Sequence, residues 1–139
     1  MDLQGAVTRG GALSLGKADT TADRTGNVRL SSPNANGISA NTYSGGTTLS
    51  YGRVQINSDA YFTGSASSPT IISSPFGTGS LTFRNINGSA INMLTLEAYG
   101  ADRTVVNPMS GTAYSIANSS TFLFAGRYSL NLANNSVAN

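Results

Sequence analysis

The residues able to do chemistry are few. The chain carries six acids, Asp2, Asp19, Asp23, Asp59, Glu97 and Asp102, and eight cations, Lys17 and seven arginines. Two acid pairs are close in sequence, Asp19 with Asp23 and Glu97 with Asp102, and Arg103 adjoins the second pair. Carboxylates clustered beside a guanidinium suit acid–base cleavage of an acidic polysaccharide. The plainer reading places Asp102 and Arg103 in a turn after Gly100. Residues 17–24 (KADTTADR) are the most charged stretch and read as an exposed loop. A cation site made from Asp19 and Asp23 would lack the Gly-rich aspartate periodicity of calcium-binding β-rolls. Histidine, cysteine and tryptophan are absent. No Ser–His or Cys–His nucleophile system can therefore be built, and the usual nitrogen and thiolate metal ligands are missing. The expectation is no catalytic residue, no cofactor and no metal.

The charges also bear on partners. Net charge is +2, with the cations scattered and no basic run, so nucleic acid is not an expected partner. Gly77-x-Gly79 has no helix after it and reads as a corner, not a phosphate loop. The sequons at Asn87, Asn118 and Asn134 are expected by chance in a chain this rich in Asn and Ser. The first five residues lack the basic and apolar regions of a signal peptide. No stretch approaches the ~20 apolar residues of a membrane helix.

Composition fixes the kind of element that positions these groups. Ser, Thr, Asn and Gly make up nearly half of the 139 residues, and charged residues only 10%. Ordinary globular domains carry about 25% charged residues. β-Branched and turn residues with recurring Tyr and Phe point to many short strands and essentially no helix. Alternation places Val28 and Leu30, Val54 and Ile56, Leu81 and Phe83, and Leu94 and Leu96 on inward faces. Leu49, Ile71, Phe122, Phe124, Leu130 and Leu132 complete the expected core.

The most organised stretch is residues 41–56, NTYSGGTTLSYGRVQI. It reads as strand, break, strand, with Gly45 and Gly46 at a sharp corner and Gly52 at a second break. Residues 41–48, Asn41, Thr42, Tyr43, Ser44, Gly45, Gly46, Thr47 and Thr48, match position for position the motif of the autotransporter-associated β-strand repeat, also called the passenger-associated transport repeat. Gly52, Gln55 and Ile56 match its second half, while Arg53 and Val54 stand where the family usually has Thr and Leu. Residues 75–79, ending in Gly77-Thr78-Gly79, resemble that family's next corner. Residues 105–108 resemble its Asn-Pro corner. Residues 60–74 look like an insertion, and their pair Tyr61 and Phe62 forms a candidate binding loop.

The resemblance implies a single domain over residues 1–139, or a segment of a longer array. Its expected fold is all-β, a right-handed parallel β-helix or solenoid of several short coils. It places the chain outside the cell or on a bacterial surface, with export elements on other parts of the gene product. Independently, Gly26-x-Val28-x-Leu30 and Gly126-x-Tyr128-x-Leu130 share a layout, so a second repeat is expected to start near residue 126. No capping helix and no charged end is legible. An uncapped solenoid is a template for head-to-tail stacking with copies of itself. The readings that follow are a structural protein that stacks into a fibre or surface layer, a passenger stalk that binds glycans or cells, and, more remotely, a polysaccharide-acting enzyme.

Overall fold

The computed structural model describes residues 1–15, 27–31, 36–50, 52–83, 93–110 and 121–133. Among these residues there are thirteen strands and no helix. The expected acid pair Asp19 and Asp23 lies outside the described residues, as do Gly26, Asn34 and Asn134.

The largest sheet is five-stranded and parallel throughout. Its order is β1 (Asp2–Gln4), β3 (Asn27–Ser31), β5 (Gly52–Ile56), β9 (Met93–Ala98), β12 (Thr121–Ala125). Between successive strands of this sheet the chain leaves and returns. It visits a second parallel sheet made of β2 (Leu13–Leu15), β4 (Thr47–Leu49), β8 (Leu81–Phe83) and β11 (Met109–Ser110). On the way it crosses a third ladder, where Ile38 bridges Asp59, the Ala60 N–H donates to the Thr104 carbonyl, and β10 (Arg103–Val105) pairs with β13 (Leu130–Leu132). Every named pairing but one is parallel. The exception is a hairpin, β6 (Tyr61–Ser65) against β7 (Ser68–Ser73).

In-register parallel pairing puts like residues in columns. Val28, Val54, Leu96 and Phe124 form one, and Leu3, Leu30, Ile56 and Ala98 another. The core draws Leu30, Val54, Ile56, Leu94 and Leu96 from the first sheet, Leu15, Leu49 and Leu81 from the second, Val105 from β10, and Phe76 from a corner. Each such side chain taken fully out of water contributes roughly 1.5–3 kcal/mol. Val28, Phe83, Leu130 and Leu132 are half-buried against this core.

Several expectations are corrected. Residues 60–74 are not an open loop but carry the hairpin, in which Phe62 faces Ile71 across the pair, so Ile71 stays outside the core. Phe124 is at an inward position yet 51% exposed, because β12 ends the sheet among the described residues and no strand covers it. Arg103 begins a strand and does not sit in a turn. Val28 and Leu30 belong to the five-stranded sheet, whereas Leu130 belongs to the two-stranded one. The spacing they share is not a shared place in the fold.

Candidate functional site

The motif residues 41–48 build a corner between the third ladder and the second sheet. Asn41 is buried and spans three passes of the chain: its Oδ1 accepts from the Val7 N–H at 2.9 Å and its Nδ2 donates to the Pro75 carbonyl at 3.3 Å. Both partners are 34 residues away, one before and one after. Thr42 is exposed, and its N–H donates to the Val7 carbonyl. Tyr43 is 1% exposed, with its hydroxyl 2.5 Å from Thr47 Oγ1, which in turn donates to the Phe76 carbonyl at 3.0 Å. An aromatic ring is cheap to bury when its hydroxyl is satisfied. Burial pushes the Tyr43 phenol up from its ordinary value, against the opposing hydrogen bond to Thr47.

The glycines at this corner are required by close approach. A Cβ on Gly45 would stand 2.7 Å from the Gly11 backbone, and one on Gly79 2.5 Å from the Ser44 carbonyl. Gly77 also has φ +70°, and a Cβ there would enter the Tyr43 ring. Gly46 and Gly52 take positive φ as well, and Thr48 is half-buried in β4. The next pass closes the corner with Asn107, wholly buried, whose Nδ2 donates to the carbonyls of Gly77 at 2.9 Å and Gly79 at 2.8 Å. Its Oδ1 accepts from the Ser74 hydroxyl. All of these groups are spent on holding backbone to backbone.

The acids and arginines form two further constellations. Arg103, with a side chain only 10% exposed, donates to Asp59 at 3.2 Å, to Asn57 at 3.0 Å and to the Tyr99 carbonyl at 3.2 Å. Asp59 also accepts from the Thr104 N–H at 2.8 Å, and Asp102 from the Ser129 N–H at 2.8 Å. The second constellation lies on the outer face of the five-stranded sheet, where Asp2, Arg29, Gln55, Glu97 and Ala125 share a row. Gln55 donates to Glu97 and accepts from Arg29 at 3.1 Å. Arg29 lies 3.7 Å from the centre of the Tyr99 ring, a cation–π contact. Glu97 is 3% exposed even though it faces outward. Burial raises its pKa, yet the hydrogen bonds from Arg53 and Gln55 outweigh that and hold the carboxyl below the usual range. Glu97 and Asp102, neighbours in sequence, serve different constellations and do not converge.

Two surfaces stand out from this internally satisfied framework. The hairpin presents Tyr61, 48% exposed, and Ile72, 42% exposed, while Phe62 is half-buried against Ile71. The second surface is the end of the molecule beyond β12, where Leu123, Phe124 and Tyr128 are exposed. A cavity of about 450 Å³ opens there, lined by Phe124, Ala125, Gly126, Tyr128, Leu130 and Leu132. Sequence reading missed this cavity. The alternation of residues 121–125 and 128–132 placed their apolar groups inside, and only the strand order reveals that they end a column. Among the described residues, no helix is long and apolar enough to cross a membrane. No family model, curated protein or solved structure matches the chain.

Proposed function

We propose that the chain is a structural, extracellular β-solenoid that stacks end to end into a fibre or surface assembly. The single observation that carries this reading is the pair of open edges. β1 and β12 are the outermost strands of the same parallel sheet among the described residues, and both ends expose apolar side chains, Met1 and Val7 at one, Leu123, Phe124 and Tyr128 at the other. An open edge of paired strands recruits another strand. Because the two edges differ, the contact is head to tail and does not close on itself.

Repeated passage through three ladders supports a solenoid, and parallel crossovers of this kind are right-handed in about 98% of cases. The match of residues 41–56 to the autotransporter-associated repeat supports membership of that family and a place on the bacterial cell surface. Negative-stain microscopy of the purified chain over a concentration series tests the reading. Long uniform filaments are expected; dispersed monomers at every concentration would overturn it.

A second reading is favoured by one feature, the projecting hairpin with exposed Tyr61 and Ile72. In it the chain is a stalk whose hairpin contacts a glycan or cell surface. Binding to cells that disappears in Tyr61→Ala, without change in assembly, would support that role.

A further inference from the structure

We propose that the contact between copies has a defined register, with β1 of one copy laid parallel on β12 of the next so that Met1 meets Phe124 and Asp2 meets Ala125. The inference rests on the stacking reading and specifies its interface.

The register follows from continuing the rows already present. In the core column, Val28, Val54, Leu96 and Phe124 stand beside one another. Met1 belongs to the same column at the opposite end, because Asp2 pairs with Arg29 and the Arg29 N–H donates to the Met1 carbonyl at 2.9 Å. Met1 is 75% exposed and Phe124 51%. One column thus ends in an exposed apolar side chain at each end, and stacking in register covers both. Leu3, the next inward residue of β1, then projects toward the cavity of about 450 Å³ beside Phe124, Tyr128 and Leu130.

The outer row agrees. It runs Asp2, Arg29, Gln55, Glu97, Ala125. Adding the next copy's Asp2 after Ala125 keeps two strand spacings, roughly 9–10 Å, between that acid and Glu97. A slip by one strand residue would turn the apolar side of β1 outward. A slip by two would leave Phe124 without Met1. Charge, apolar cover and pleat all select the same register.

The chain has no cysteine, so introduced pairs report without background. Neighbouring parallel strands lie within the Cα separation a disulfide accepts, roughly 4.4–6.8 Å. The double variant Asp2→Cys/Ala125→Cys, assembled under reducing conditions and then oxidised, is expected to give a ladder of covalent multimers lost on reduction. Asp2→Cys/Leu123→Cys, two residues out of register, is expected to give none. A ladder from the second pair alone would overturn the register and leave stacking intact. Filaments by microscopy with no ladder from either pair would overturn the β1–β12 contact and again leave stacking intact. Absence of any polymer from the unaltered chain would overturn stacking itself and the interface with it. If the double variant fails to assemble, Asp2→Cys and Ala125→Cys chains made separately and mixed supply the same reading, with cross-linked dimers expected and their absence from mixed filaments counting against the register.

Discussion

Arg53 Nη2 donates to Glu97 Oε2 at 2.6 Å across the outer face of the five-stranded sheet, joining a side chain half in solvent to one almost wholly excluded from it. The carboxylate is kept ionised by that guanidinium and by Gln55, in spite of its burial. A carboxyl whose folded pKa is depressed contributes stability that is complete above its unfolded value and is lost as pH falls through its folded value. Stability of the chain is therefore expected to fall as pH drops below ~4.3, the ordinary glutamate value. Glu97→Gln should flatten that part of the profile, and denaturant melts at a series of pH values measure it. An unchanged slope would mean that Glu97 is not held as described.

Gly45→Ala is expected to destabilise the corner by about 1–3 kcal/mol, the usual cost of forcing atoms into a packed region. The added carbon would stand 2.7 Å from the Gly11 backbone, which has no side chain to move aside. Alanine at Gly5, where a Cβ meets nothing within 4 Å but φ is +120°, should show the smaller cost of backbone strain alone. Urea midpoints of the two variants separate close approach from conformation.

Asn107→Leu removes an amide that caps the Gly77 and Gly79 carbonyls and a carbonyl that accepts from Ser74. Each buried polar group left without a partner costs about 1–3 kcal/mol. The loss should exceed that of Gly45→Ala, and equilibrium denaturation measures it. Asn107→Asp keeps the acceptor but not the donors and should fall between.

Tyr61→Ser with Ile72→Ser should leave stability within about 0.5 kcal/mol, as for exposed positions outside the core. Assembly should also persist. Loss of assembly would place the hairpin in the contact between copies and count against the end-strand interface.

Much of the fold was legible because strands announce themselves by alternation. Val54, Ile56, Leu81, Leu94 and Leu96 are all inward, as their spacing required. Glycine pairs marked the corners for the same local reason. Legibility failed where burial depends on distant chain. Tyr43, Phe76 and Val106 are buried at corners, where no period exists to read. Asp59 and Arg103 meet across 44 residues, and nothing local signals it. Phe124 alternates like a core residue but ends its column, a fact of strand order and not of pattern. Glu97 looks solvent-facing and is covered, because the chain at Gly126 packs against it.

The hairpin leaves and rejoins the framework at two fixed points. The Ala60 N–H donates to the Thr104 carbonyl and the Ser74 N–H to the Asn41 carbonyl, both at 3.1 Å. What lies between those anchors can change in length and composition without disturbing the ladders, so this is the natural place to graft foreign sequence. In a polymer of such chains the graft would recur once per subunit along the axis. A ligand-binding segment too weak to hold a target alone would then act with the avidity of a multivalent display.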